Sequence, residues 1–463
     1  MAVFHAVRSH ASFILGCCLL SLSVQAADFE IVISDDEPTT RIAFGSCHKR
    51  KYVNVSSTIW EPIAAIKPHI FLWTGDAVYP PSRGVAPLHE LETEYRQLGD
   101  NASLGYSGFK PPQGIFGVLD DHDYGANDGG KELTQKEERR RLFQDFLQYP
   151  TELKNKIESR QGLYHSIDLV HRQLHAVDKQ QRVKIVMLDT RWFRDAHCIP
   201  SVAASSVPLG AAIACVTRWI VAGLGWTQCS KSSTILGEEQ WAWFTREVQE
   251  SGANFTIVVS SIQVLSTNPA MEGWSHFPAE QERLLRLLNK HSSSGMIVLS
   301  GDVHHAEISS LTASIKTKKE SWLEVTSSGL THTCKTATYG AVCEPILMRF
   351  DKHRRNPHDY YLDLNFGALE VNWAQERVQA DIYNKDGDIV LTTGWRSWAR
   401  MDHLTESELT EVAKAVDGHL LPLIHLVGLV LLVLTLGILL QFVIWTVYAN
   451  PSTRKLSHKE KED

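Results

Sequence analysis

Short continuous apolar runs, separated by amphipathic stretches, set the rhythm of this chain. The runs at 41–45, 70–74, 115–119, 183–188, 255–260 and 296–300 lack the alternation of a half-exposed strand and predict strands covered on both faces. Helical stretches are predicted between them at 132–147, 237–251 and 279–289. Residues 237–239 place two acids at a helix start, where they face the positive end of the dipole, and Trp241 and Trp243 behind them read as core. The charge run 136–141 reads as a solvated helix face. From 361 onward the pattern changes: 361–373, 377–384 and 388–392 alternate apolar with polar residues, and Lys385-Asp386-Gly387 supplies a hairpin turn. Together these elements predict one layered α/β domain over roughly residues 28–400, with a second sheet contributed by its end.

Both termini break this rhythm. Residues 1–26 carry Arg8, an apolar run and then Val24-Gln25-Ala26, the small-residue pattern of a cleaved secretory leader. Residues 420–448 are almost wholly apolar, long enough to cross a bilayer, and are followed by Arg454 and Lys455. This predicts a single-pass type I arrangement: an acidic helical stalk at 401–419, a membrane helix at 420–448 and a cytosolic tail at 449–463. The last five residues, Lys459-Glu460-Lys461-Glu462-Asp463, are similar to a dilysine retrieval signal of the endoplasmic reticulum, and the cell surface is the alternative destination. Polar residues after the apolar run argue against a removed lipid-anchor signal. Between 195 and 235 lies a cysteine-containing insertion, read either as a second membrane span, which Arg218 and glycines interrupt, or as a disulfide-tied lid or membrane-touching flap beside the active site that favours lipid-linked phosphates.

Composition narrows the chemistry. With 463 residues, 43% hydrophobic and 21% charged, there is ample material for a large core, and a net charge of -7 offers no broad basic surface for nucleic acid. Of eight cysteines, Cys17 and Cys18 fall in the leader, which leaves Cys47, Cys198, Cys215, Cys229, Cys334 and Cys343. In an oxidising compartment the nearest pair, Cys334 with Cys343, is the first expected disulfide, then Cys198 with Cys215 or Cys229. Asn54, Asn101 and Asn254 head glycosylation sequons.

Three apolar runs end in Gly75-Asp76-Ala77-Val78-Tyr79, Asp120-Asp121-His122-Asp123 and Ser300-Gly301-Asp302-Val303-His304. A single Asp after a strand is ordinarily a turn residue or a cap. Three such clusters, two with histidine, predict carboxylates and imidazoles gathered at one sheet edge, where ligands collect in layered α/β proteins. Burying them together requires a counter-charge, and Asp, His and Tyr donors suit iron, manganese, zinc or calcium. Asp120 and Asp123 either cap loop amides or bind an ion. His48 and His305 read as solvent-facing or hydrogen-bonding neighbours of ligands. Arg191 and Arg194 either clamp phosphate oxygens or form salt bridges.

These motifs resemble, in order, those of the calcineurin-like metallophosphoesterases, and within them the alkaline phosphatase D, or PhoD-like, branch. Further agreement comes from Phe44-Gly45-Ser46-Cys47, Leu188-Asp189-Thr190-Arg191, Leu236-Gly237-Glu238-Glu239-Gln240-Trp241 and Glu272-Gly273-Trp274 with Pro278 and Arg283. The resemblance implies a four-layer αββα sandwich. It also implies a centre of two or more metals, Fe3+ with Ca2+ or another divalent cation, held by Cys47, Asp76, Tyr79, Asp121, Gln263, Asp302 and His304. Asp76 would bridge the metals, Tyr79 would bind the ferric ion, and His122 would contact the phosphoryl group or leaving oxygen. The expected activity is hydrolysis of a small-molecule or lipid-linked phosphomonoester or phosphodiester; a phospholipase-C-like diesterase and an inactive binding ectodomain are the alternatives.

Overall fold

The structure, a computed structural model, describes residues 27–413 except 35, 55, 83, 173–179, 200–212, 214–215, 219, 222–231, 251, 292–294, 313–319, 337–339, 345–347, 349–350 and 399–403, together with 433–439 and 441. Fifteen strands form two sheets among the described residues. They are β1 Phe29–Ile33, β2 Thr39–Gly45, β3 Ile70–Trp73, β4 Ile115–Gly117, β5 His165–Arg172, β6 Gln180–Met187, β7 Phe255–Val259, β8 Gly295–Ser300, β9 Ala306–Thr312, β10 Glu320–Ser327, β11 Tyr360–Tyr361, β12 Asn365–Asn372, β13 Arg377–Asn384, β14 Ile389–Thr392 and β15 Arg396–Ser397. One sheet runs β1-β5-β6-β7-β8-β10-β9-β11 and the other β14-β13-β12-β2-β3-β4, with β15 beside β13.

Alternation along the buried strands shows how the layers stack. Ile257, Val259, Ile297 and Leu299 point into a core shared with Ile42, Phe44, Leu369 and Val371 of the second sheet. Their neighbours Val258, Met296 and Val298 point the other way, against Trp241, Phe244, Leu284 and Leu288 of the helices Gly237–Gln249 and Pro278–His291. The outer face of the second sheet is covered by Trp60, Tyr106 and Phe109, whose rings meet Phe71 or Trp73 edge-on or tilted at 5.3 to 5.8 Å between centroids. Helices therefore flank a pair of face-to-face sheets, a mixed α/β layering.

Four expectations change. The three acid-bearing strands do not share a sheet edge: β3 and β4 lie in one sheet and β8 in the other. The alternating C-terminal strands account for this, since β12 and β13 extend β2-β3-β4 through β12–β2 pairing and so split the core strands into two sets. The predicted strand at 361–373 divides into β11 and β12, which belong to different sheets. The charge run is not wholly solvated: Arg139 and Arg140 are buried, and their guanidinium groups donate to Tyr124 O and Ala86 O, and to Arg160 O and Gly162 O. Loop carbonyls that would otherwise be buried unpaired explain this use of arginine. Finally, the part of the expected stalk that is described, the helix Glu406–Ala413, packs on the domain instead of standing free. Leu404, Leu409 and Val412 form an apolar face against the helix Pro278–His291, and Arg286 pairs with Glu406.

The leader, most of 420–448 and the tail lie outside the described residues, as do Cys215 and Cys229. Residues 433–439 are helical with exposed apolar side chains. Among the described residues no helix is long and apolar enough to cross a membrane. Cys334 and Cys343 form a disulfide, Cys198 is disulfide-bonded, and Cys47 is a free, buried thiol.

Candidate metal centre

Two glycines let the strand ends of both sheets converge. Gly75 takes a left-handed φ of 102°, and a Cβ there would stand 2.5 Å from Asp120 Cβ. A Cβ on Gly301 would stand 2.5 Å from both Ser46 Oγ and Thr74 O. Any side chain at either position would push the β3, β4 and β8 loops apart. Around them Cys47, Asp76, Asp302 and His304 all hold positive φ, between 52° and 71°. Non-glycine residues avoid this region unless the surroundings enforce it, so four neighbouring cases mark a constrained functional loop set.

Asp76 is the hub. Its carboxylate lies in three groups whose candidate ligand atoms are all within 4.8 Å of one another: with Cys47 and His304, with Asp121 and His122, and with Asp120, Asp121 and Asp302. Tyr79 OH donates to Asp76 Oδ2 at 2.5 Å and lies 3.3 Å from His304 Nε2. The His122 main-chain N–H donates to Asp76 Oδ1 at 3.2 Å, and the His122 ring lies 4.1 Å from that of Tyr79. Cys47 Sγ is 3.0 Å from Ser328 Oγ, which also accepts from His304 N at 2.8 Å and so holds thiol and imidazole in register.

The donor set fits cations. Asp120 Oδ2 and Asp121 Oδ1 are buried and have no hydrogen-bond partner among the described residues, although such atoms are costly to leave unpaired. Burial, with the neighbouring acid Asp121, pushes the Asp76 carboxyl well above its usual range; burial, with Asp120, does the same for Asp302. Cys47 and Tyr79 are held protonated by burial and by Asp76. Four acids, a thiol and a phenol pressed together carry more negative charge than the Arg191 guanidinium paired with Asp120 offsets, which a multivalent cation would resolve.

The open readings separate here. Asp123 is a cap: it accepts from Asp120 N at 3.1 Å, Val78 N at 3.3 Å and Tyr95 OH at 3.2 Å. Asp120 faces the site while anchored by Ser261 Oγ at 2.7 Å and Arg191 Nε at 2.6 Å. Arg191 is fully buried, and its fork is committed to Asp120 and to Glu272 at 2.7 Å, so it stands behind the acids as their counter-charge. Of the two roles open to Arg191, the salt bridge is the one seen, to two buried carboxylates. Gln263 is buried and donates to Thr326 Oγ1 at 3.1 Å, and its Oε1 takes no hydrogen bond among the described residues. His48 is buried beside Trp60 and Trp73, and its N–H donates to Asp76 O at 2.9 Å. His305 is buried too, between Val303 O and Glu307.

Sequence reasoning missed two groups. Asp128, His197 and Glu272 also cluster, but Arg191, Arg194 and Arg218 surround them; burial opposes a charged Glu272, and the arginines overcome it. Those cations disfavour a further metal ion and make this an ion-pair network behind the site. The second group is Ser328, Thr331 and His332, which follow β10 as the metal motifs follow β3, β4 and β8. A strand, Glu320–Ser327, running into Ser-Ser-Gly was the available signal.

Acids crowded in this way link proton uptake to stability when no cation is present. Burial pushes Asp120 from 3.8 to about 8, despite Arg191, and Asp123 to about 7. The folded form therefore binds more protons than the unfolded one, and stability falls as pH rises from the unfolded value through the folded values. Burial lowers His304 to about 3 and also depresses His332, which acts in the opposite sense, but only below about pH 6.5. Chelator-treated protein should thus lose melting temperature between about pH 6.5 and about 8, whereas metal-loaded protein should not. Parallel curves with and without metal in a calorimetric pH series would contradict this coupling.

The fold and site define a layered α/β protein with an acid-rich, cation-fitting centre. The chain belongs to the PhoD-like phosphatase family, whose pattern it matches over residues 120–382. Among curated relatives, alkaline phosphatase D of Bacillus subtilis is 29% identical over 86 residues, covering 17% of this chain and 15% of that protein. The chain thus aligns with well under a fifth of that relative's length. Among solved structures, one titled the structure of PhoD superposes with a TM-score of 0.49 at 15% identity, covering 85% of this chain and 78% of the other. GAP50, described as the anchor in the inner membrane complex of Plasmodium, superposes with a TM-score of 0.45 at 13% identity, covering 82% and 95%.

Proposed function

We propose that this protein is a metal-dependent phosphoric ester hydrolase, held by a carboxyl-terminal helix in a membrane of the secretory pathway with its catalytic domain facing the lumen. The observation that carries the hydrolase reading is the convergence of Cys47, Asp76, Asp120, Asp121, Asp302 and His304 with two buried carboxylate oxygens left unpaired. Asp76, shared by three donor groups, suits a bridge between two ions. Cys47, Tyr79 and His304 offer the thiolate, phenolate and imidazole that suit Fe3+, and the carboxylates, with Gln263 as an additional oxygen donor, suit Ca2+ or another divalent ion. Ions held there would neutralise phosphate charge and lower the proton affinity of water.

The chain's own groups supply the rest. The His122 ring lies 4.1 Å from that of Tyr79, and its protonated form can give a proton to a departing oxygen; burial lowers its proton affinity, so that form gives the proton up readily and is populated toward lower pH. Arg191 and Ser261 fix Asp120, while Ser328 fixes Cys47 and the His304 backbone. All of the acid and imidazole positions expected of the family hold competent donors, which favours an enzyme over an inactive binding domain. Anchoring is supported by the apolar 420–448 segment and the exposed apolar side chains of 433–439, and a lumenal setting by the leader pattern and disulfides.

Metal analysis of the purified protein, coupled to hydrolysis of p-nitrophenyl phosphate and bis-p-nitrophenyl phosphate, tests the hydrolase reading. Bound metal with turnover removed by chelator and restored by ions is expected; a metal-free preparation with undiminished turnover would defeat it. Alkaline extraction of membranes tests the anchor, since release of the full-length chain into the supernatant would exclude a spanning helix.

A further inference from the structure

Beside the metal-facing donors stand a cation and an imidazole, Lys49 and His332, that no step above uses. Lys49 Nζ lies 4.8 Å from the centroid of the Tyr79 ring, and among the described residues it forms no ion pair. The His332 ring is 4.4 Å from that of His304 and 5.0 Å from that of Tyr79, and its Nε2 makes no hydrogen bond among the described residues. One hydroxyl ties these groups together: Thr331 Oγ1 accepts from Lys49 N at 2.7 Å and stands 3.4 Å from His332 Nδ1. The same hydroxyl is 3.3 Å from Cys47 O, so the loop carrying the thiol and the loop carrying His332 are fixed to each other. Tyr52, 52% exposed, closes the rim with its ring 5.6 Å from His332, and Lys51 Nζ lies 4.8 Å from that ring. Arg50 points elsewhere, paired with Glu94 at 2.7 Å.

We infer that Lys49 and His332 form a metal-independent subsite that receives phosphate oxygens and selects phosphomonoester dianions over phosphodiester monoanions. The reading rests on the phosphoric ester hydrolase proposed above and assigns its preferred substrate class. A phosphate bound at the acids would have oxygens left over for the groups beside Tyr79 and His304, where an ammonium and an imidazole nitrogen are available to donate. A monoester presents a doubly charged group with three non-bridging oxygens there. A diester replaces one of those oxygens with a second ester arm and carries one charge fewer, so it loses the contact with the ammonium and must place an organic group in a polar rim. Charge-assisted hydrogen bonds of this kind are the strong ones, so the subsite should govern affinity as well as choice.

Calorimetric titration of inorganic phosphate into the metal-loaded, detergent-solubilised full-length protein tests the subsite without requiring turnover. Lys49→Met and His332→Ala should each weaken phosphate binding by about tenfold to a hundredfold with bound metal unchanged. Lys49→Arg, which keeps the charge, should stay within about threefold of the parent. On esters, kcat/KM of Lys49→Met should fall for p-nitrophenyl phosphate by a similar factor and for bis-p-nitrophenyl phosphate by less than about threefold. Phosphate binding unchanged in both variants, loss of bound metal in both, or equal losses on the two esters would each overturn the subsite. If the parent binds phosphate, Lys49→Met weakens it and no ester is hydrolysed, the subsite stands and the hydrolase reading falls.

Discussion

Asp76→Asn should strip the protein of bound metal and lower turnover of p-nitrophenyl phosphate by on the order of a thousandfold or more. The expectation follows from position: Asp76 is the one side chain common to all three donor groups at the site, and its two oxygens face opposite halves of it. An amide keeps the volume but removes the negative charge and turns one oxygen into a donor, which repels a cation where the carboxylate would attract it. The fold should survive, because the substitution relieves the crowding of like charges that burial makes costly. Elemental analysis alongside initial rates decides the matter. Retained metal with full turnover would remove Asp76 from the centre and the bridging role with it.

His122→Ala should have the second-largest effect and a different signature. Turnover of alkyl phosphates, whose alkoxide leaves only with a proton, should fall by about a hundredfold or more. p-Nitrophenyl phosphate, whose phenolate departs without one, should fall much less, and bound metal should stay near the parent level. The ring is suited to this because it lies tilted against Tyr79 at 4.1 Å and because burial lowers its proton affinity, which makes the protonated ring a stronger acid. Rates across a series of leaving groups give the measurement. An equal loss on all of them, together with loss of metal, would make His122 a ligand instead of a proton donor.

How far the centre was legible in the chain depended on distance along it. Asp76 and Tyr79 follow one apolar run, Asp121 and His122 a second, and Asp302 and His304 a third, so local pattern was enough to nominate them, and Cys47 followed from its motif. Arg191 was nominated as well, but its partners Asp120 and Glu272 stand 71 and 81 residues away, and only their meeting showed that its charge is spent inside the protein. Lys49 gave no signal, and His332 only the Ser-Ser-Gly that ends β10, since what joins the two is a Thr331 hydroxyl 282 residues from Lys49. Arg139 and Arg140 misled in the opposite sense: a run of charge on a helix ordinarily faces water, and nothing local announces that loop carbonyls need donors.

What the sequence determined by itself was therefore the alternation of buried strands and helices, the acids and imidazoles set at strand ends, and two apolar terminal segments. These are properties of neighbouring residues, and backbone periodicity exposes them. Only the tertiary structure decided that β3 and β4 lie opposite β8 in a second sheet, that the helix Glu406–Ala413 packs against the domain, and which charges face the cations and which face an anion. The physical reason is that sheet membership and charge pairing are set by competition among distant segments for one core and one set of counter-charges, and that competition has no local period to read.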